Sequence, residues 1–202
     1  MTAPTTGAPT GNTYDKYTSG NRVERRLMAG FFRALDAALP AAPPERILEV
    51  GAGEGEIAQR VSDRYPHAGI TVLDLPDPEL AGEWGTLEVA GTHGDAGRLP
   101  FPERTFDLVL AIEVLEHVPD PSSALREIAR VARSSVVVSV PREPVWRAAN
   151  MARGRYWGAL GNTPGHVNHW SARGFRHFVA SELTVTATHH PFPWTVVAAH
   201  RE

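Results

Sequence analysis

Two sets of residues in this chain have the types and spacing to do chemistry. The first is Gly51-x-Gly53-x-Gly55, preceded by Ile47-Leu48-Glu49-Val50 and followed by the helix-compatible run Glu56-Ile57-Ala58-Gln59-Arg60-Val61. Glycines at alternate positions let the backbone take positive φ and let a ligand approach the main chain, while the first helical turn offers unpaired N–H groups. A strand turning this sharply into a helix cradles a nucleotide, or is an ordinary tight turn. It is not the dinucleotide fingerprint, because the third glycine comes one residue early and Glu56 stands where Gly-x-Gly-x-x-Gly needs its last glycine. The second set is Glu113, Glu116 and His117, at i, i+3 and i+4. A helix after the preceding strand would put them on one face. Two carboxylates and an imidazole there suit a hard divalent ion such as Mg²⁺ or serve capping and packing. His166 and His169, in Gly165-His166-Val167-Asn168-His169-Trp170, are candidate general bases.

These groups need elements to hold them. Apolar spacing predicts a helix over Val23 to Leu35, then a buried strand ending at Val50 and the helix after the glycines. Gly69 to Asp74 reads as a second strand ending in an acid, about twenty residues past the last glycine, where a carboxylate in a nucleotide-binding βαβ unit accepts from ribose hydroxyls. Leu87 to Gly91 reads as a third strand, with Asp95 beyond its end placed to accept from an adenine amino group. Phe106 to Ile112 is a fourth strand, Ser122 to Ala132 an amphipathic helix, and Ser134 to Val140 a fifth strand ended by Pro141. The alternation breaks from Arg142 to about Gly165, with one short helix expected at Val145 to Met151. A helix at Ala172 to Ala180 and two strands, Leu183 to Thr188 and Thr195 to His200, close the chain as an antiparallel hairpin. Strand-helix alternation implies an α/β fold with a mostly parallel sheet and helices on both faces.

The 202 residues, 42% of them hydrophobic, suit one domain. Residues 1–13 read as a disordered tail, 14–202 as that domain, and 142–170 as an insertion on its acceptor side. With no cysteine there is no disulfide framework, thiolate zinc site or cysteine nucleophile. No apolar run approaches membrane-spanning length and the N-terminus lacks the regions of a signal peptide, so a cytoplasmic protein is expected. The net charge of −3 argues against DNA or RNA polymers as general partners. Between Pro141 and Ala180, however, Arg142, Arg147, Arg153, Arg155, Arg173 and Arg176 face only Glu143 in sequence, which suits an anionic group on a substrate or a solvated surface. Tyr14 and Tyr17 either pack or close over a ligand.

Taken together, Glu49-Val50-Gly51-Ala52-Gly53-Glu54-Gly55, Asp74, Gly94-Asp95-Ala96 and Phe106-Asp107-Leu108-Val109 running into Glu113-Val114-Leu115-Glu116-His117 resemble the class I S-adenosylmethionine (SAM) dependent methyltransferases. The resemblance covers residues 45–140 most strongly. It implies a Rossmann-like seven-stranded sheet with its last strand antiparallel. By similarity Gly51, Gly53 and Gly55 pass under the methionine part of SAM, Asp74 holds the ribose, Asp95 with Ala96 frames the adenine, and Tyr17, Glu49, Leu75 and Ile112 complete the cofactor set. The Glu-x-x-Glu-His spacing is similar to the metal set of ubiquinone-pathway O-methyltransferases and small-RNA 2′-O-methyltransferases. That similarity makes Glu113, Glu116, His117 and His166 the expected ligands of a divalent ion. The implied activity is methyl transfer to a small molecule, at a hydroxyl oxygen in the leading reading. The alternatives are an RNA 2′-O-methyltransferase, an N-methyltransferase and a SAM-binding module without catalysis.

Overall fold

The computed structural model describes residues 22–202 apart from 78–81, 83 and 88. Helix α1 (Arg22–Ala38) leads into β1 (Arg46–Val50), α2 (Glu56–Arg64), β2 (Gly69–Asp74), β3 (Ala90–His93), β4 (Phe106–Ile112), α3 (Pro121–Val131) and β5 (Ala132–Pro141). After these come α4 (Val145–Ala152), a 3₁₀ turn (Trp157–Ala159), α5 (Ala172–Val179), β6 (Thr184–His189) and β7 (Trp194–His200). The seven strands form one sheet in the order β3-β2-β1-β4-β5-β7-β6. Strand β7 runs antiparallel to both β5 and β6, while the pairs from β3 to β5 are parallel. This is the expected mixed sheet with its antiparallel C-terminal hairpin.

Strands β1 and β4 read as near-continuous apolar runs because helices cover both faces of the sheet. Side chains alternate between two cores. Ile47, Leu108, Leu110 and Val137 pack with α1 and α2 on one face, while Leu48, Val50, Val109 and Val138 pack with α3 and α5 on the other. Phe31 of α1 meets Trp194 of β7 with ring centroids 5.1 Å apart, which seats the N-terminal helix over the hairpin. Asp107, one of the acids of the fourth-strand motif, works at the opposite edge from the glycine loop: its carboxylate accepts from the Glu45 and Arg46 N–H groups and pairs with Arg133 at 2.9 Å.

Sequence and structure differ at the third strand, which runs over Ala90–His93 rather than from Leu87 to Gly91. Leu87 closes a turn on Trp84, its N–H donating to the Trp84 carbonyl, so the chain cannot pair with β2 until Ala90 meets Thr71. The larger consequence lies after β4. Residues 113–120 form a turn and not a helix, because Asp120 caps α3 and Pro121 occupies its first turn. The expected tail at 1–13 and Tyr14 and Tyr17 lie outside the described residues.

Candidate active site

Successive strands run outward in both directions from the β1/β4 pair, and an open α/β sheet leaves its crevice beyond the strand ends at such a reversal. A cavity of about 640 Å³ opens there, with Gly51, Gly53, Asp74, Asp95 and Ile112 on one wall and Trp146, Asn150, Tyr156 and His166 on the other.

The glycine loop is shaped by its backbone. Gly51, Gly53 and Gly55 have φ of 71°, 52° and 85°, the left-handed region that β-carbons disfavour. A β-carbon on Gly51 would also run into the Val114 side chain, and one on Gly55 would approach Leu87 Cδ1 to 2.5 Å. The loop is pinned to β2 by the Gly51 N–H on the Leu73 carbonyl (2.7 Å) and the Gly53 N–H on Asp74 Oδ2 (2.7 Å). From the other side Trp84, 4% exposed, donates its indole N–H to the Gly53 carbonyl at 2.8 Å. In the sequence Trp84 carries no signal beyond an indole between the second and third strands.

The acids differ from one another. Asp74 accepts from Gly53 N–H through one oxygen and from Leu75 N–H through the other, so it fastens the loop as well as facing the cavity. Asp95 is exposed and spends Oδ1 on the Gly97 N–H at 2.7 Å, closing a local turn beside the cavity. Glu49 is 2% exposed under the loop; burial and then the neighbouring Asp74 charge push its carboxyl well above the ordinary range. Leu75, Ala96 and Ile112 line the same wall.

On the facing wall, Glu116, His117 and His166 bring one ligand atom each within 4.8 Å of the others. Glu116 is 1% and His166 8% exposed. Backbone bonds deliver His166: the Val167 and Asn168 N–H groups donate to the Glu116 carbonyl at 2.8 and 3.1 Å, and Asn168 Nδ2 donates to the Leu115 and Val118 carbonyls. His117 Nδ1 lies 3.0 Å from the Gly165 carbonyl. A carbonyl only accepts, so Nδ1 is the donor in this contact. Trp146 stacks on His166 at 6.0 Å and gives its own N–H to Thr163 Oγ1, which also accepts from the buried Asn150.

Glu113 is not part of this group. The turn after β4 replaces the helix that would have stacked i, i+3 and i+4, and Glu113 sits at its first position with φ 61°, lining the cavity nearer the glycine loop. His169 is also placed elsewhere: it is exposed, lies between Arg147 (3.1 Å) and Asn162 (2.7 Å), and does not line the cavity. Of the two candidate bases, only His166 lines the cavity.

Residues 48–140 match the family described as a methyltransferase domain. Over 122 residues the chain is 35% identical to a malonyl-[acyl-carrier protein] O-methyltransferase of Geobacter sulfurreducens, covering 58% of this chain and 44% of the relative. It is 32% identical to an O-methyltransferase of Aspergillus sclerotiorum (66% and 60% covered) and 36% identical to a demethylmenaquinone methyltransferase of Thermus thermophilus (55% and 54%). The chain thus spans about half the length of these relatives. In fold it resembles a Synechocystis magnesium protoporphyrin IX methyltransferase solved with bound S-adenosylhomocysteine, at a TM-score of 0.68 and 16% identity over 93% of this chain and 91% of that one. A SAM-dependent methyltransferase of Mesorhizobium loti gives 0.65 at 17% identity, over 85% and 98%.

Proposed function

We propose that this chain, whose residues 48–140 match a methyltransferase domain, is a class I SAM-dependent methyltransferase that methylates a hydroxyl oxygen of a small-molecule acceptor in the cytoplasm, with a divalent ion at the acceptor wall. The observation that carries the reading is the cavity itself, which faces the glycine loop with the Glu116–His117–His166 cluster.

The residues present suit SAM. The glycine loop turns into the cavity wall at positive φ, and the cavity of about 640 Å³ is large enough for the cofactor with a small acceptor. Gly51, Gly53 and Gly55 would underlie its amino-acid part, Asp74 its ribose, and Asp95 with Ala96 its adenine. Bound SAM supplies a methyl group already activated on a sulfonium, so the protein's share is to align the acceptor oxygen and take up its proton.

The acceptor wall offers two ways to move that proton. His166, 8% exposed beside Trp146, can take it as a general base. Alternatively, a divalent ion held by Glu116, His117 and His166 would lower the hydroxyl's pKa. One carboxylate with two imidazoles suits Mn²⁺, Fe²⁺ or Zn²⁺ better than the Mg²⁺ that the Glu-x-x-Glu-His spacing implied, because Mg²⁺ prefers oxygen ligands and Glu113 is not in the group. The closed histidine geometry, with His117 Nδ1 tied to Gly165, favours the ion. Relatives named as O-methyltransferases support oxygen as the acceptor atom.

Incubation with methyl-labelled SAM and a panel of hydroxylated, aminated and RNA acceptors tests the reading. Label transfer to a hydroxyl compound supports it. Transfer only to amines or RNA overturns the acceptor class, and SAM binding without transfer to any acceptor leaves a binding module.

A further inference from the structure

Besides the glycine loop and its acids, the cavity is lined by carbon-rich side chains: Leu27 and Met28 of α1, Trp146 of α4, Tyr156 after it, Phe192 of the β6–β7 turn and Trp194 of β7. The rings among them form a series. Phe31, outside the lining, meets Trp194 at 5.1 Å between centroids and a tilt of 57°. Trp194 meets Trp146 at 5.7 Å and 56°, and Trp146 stacks on His166. Tilted and offset pairs of this kind are the ones aromatic rings favour. A further ring set against Trp146 would extend the series, where a saturated one would gain burial alone.

Both indoles show the cavity carbon rather than a polar edge. Trp146 spends its N–H on Thr163 Oγ1 at 2.8 Å, Thr163 is held in turn by Asn150 Nδ2 at 3.2 Å, and Asn150 is fastened to the Gly161 carbonyl at 2.9 Å. The Trp146 ring is thus fixed before any ligand arrives. The Trp194 N–H is closed off from solvent in a side chain 4% exposed. Tyr156 and Phe192 line the cavity while 37% and 51% exposed, which leaves two more rings for an occupant to cover.

Charge narrows the occupant further. Of the six arginines between Pro141 and Ala180, only Arg153 and Arg155 line the cavity, and Arg153 stands 3.6 Å from Glu24. Acids outnumber arginines along the lining, with Glu24, Glu113 and Glu116 among them. A carboxylate or phosphate on the acceptor would add to that negative charge, whereas the sulfonium of SAM opposes it. We infer that the acceptor is a neutral planar aromatic alcohol, a phenol or naphthol, that lays its ring against Trp146 and turns its hydroxyl to His166. The aromatic class rests on the methyl-transfer reading, of which it is a narrower case.

Calorimetry on the full chain saturated with S-adenosylhomocysteine tests it, with naphthol, decahydronaphthol and hydroxynaphthoate as probes. Naphthol is expected to bind about fivefold or more tightly than the saturated alcohol, the margin of one good aromatic contact, and more tightly than the carboxylate. Trp146→Ala should weaken naphthol binding about tenfold and Trp146→Phe should restore most of that loss, while S-adenosylhomocysteine affinity holds in both. Tyr156→Leu, at an exposed ring where folding is not at stake, should lower naphthol affinity about twofold or more without changing that of decahydronaphthol. Equal or tighter binding of decahydronaphthol overturns the aromatic assignment, as does naphthol affinity unchanged in these variants. Tighter binding of hydroxynaphthoate overturns the neutral one. Naphthol failing to bind a chain that takes S-adenosylhomocysteine overturns the acceptor class and leaves the cofactor reading standing. Failure to bind S-adenosylhomocysteine brings down that reading and the acceptor class with it.

Discussion

The Gly53 N–H donates to Asp74 Oδ2 at 2.7 Å, so the glycine loop after β1 and the acid at the end of β2 are one device. Its other face is closed by Trp84, whose indole reaches the Gly53 carbonyl. Removing Asp74 therefore takes away a proposed cofactor contact and also the partner that fixes the loop. Asp74→Ala should weaken SAM binding by about 1–3 kcal/mol, the loss typical of hydrogen bonds to a charged group. Calorimetric titration with SAM is the measurement, and wild-type affinity in a folded variant would contradict the cofactor assignment.

Trp84→Phe separates the two halves of that tryptophan's role. The ring packing over Gly91 and His93 survives, while the bond to Gly53 is lost and its carbonyl turns to water or stays unsatisfied. A stability loss of about 0.5–1.5 kcal/mol is expected from denaturant unfolding, accompanied by a weaker SAM affinity. A variant as stable and as tightly bound as wild type would show that the contact is dispensable.

What the sequence disclosed follows from the range of the interactions involved. Strands β1, β2, β4 and β5 were legible because each is an apolar run covered on both faces, and the glycine loop because positive φ at alternate positions needs glycine. The third strand was misplaced because β3 is a short edge strand with sparse apolar content, its start set by the Leu87–Trp84 turn. Trp84 and Asn168 were invisible for a related reason: each acts through hydrogen bonds to backbone far away in sequence, and neither belongs to a local pattern. Spacing misled at Glu113, since i, i+3, i+4 brings side chains together only on a helix and the helix begins at Pro121.

Glu49 gives stability a pH dependence whose sign follows from its burial. Its folded-state pKa is raised by desolvation and by Asp74, so the folded protein prefers it protonated. The stability it supports is present in full below the ordinary carboxylate range and declines as pH rises toward the folded-state pKa. Glu49→Gln, which keeps the size and a neutral head, should relieve that decline. Urea unfolding at pH 5 and pH 8 should show the variant gaining on wild type at the higher pH. A gain that grows toward low pH would reverse the assignment.

Glu127 titrates in the opposite sense. The Arg130 guanidinium, 2.6 Å away, holds its carboxyl below the ordinary range, and its other oxygen accepts from the Leu99 N–H. That contribution is present above the ordinary carboxylate pKa and is lost as pH falls through the lowered value. Because both side chains are partly exposed, the effect is screened and about 1 kcal/mol or less is expected. Glu127→Gln should therefore unfold more easily than wild type at pH 7 and approach it near pH 3; an unchanged difference between the two would count against the pair.

The Glu116–His117–His166 cluster is where the proposed routes for the acceptor proton part. Three ligand atoms within 4.8 Å of one another, on side chains held by the Val167, Asn168 and Gly165 backbone contacts, are pre-positioned before any ion arrives. If they hold a divalent ion, activity toward a hydroxyl acceptor should vanish with a chelator and return with Mn²⁺ more fully than with Mg²⁺, following the nitrogen-rich donor set. Glu116→Gln should then reduce turnover by about 10²-fold or more while SAM affinity, set on the opposite wall, stays near wild type. His169→Ala should keep metal dependence, since that ring is held by Arg147 and Asn162 on the outside of the segment. Full activity in excess chelator would sink the ion and leave His166 as a simple base. In that case the rate would rise with pH through a single step, and His166→Ala would abolish that step.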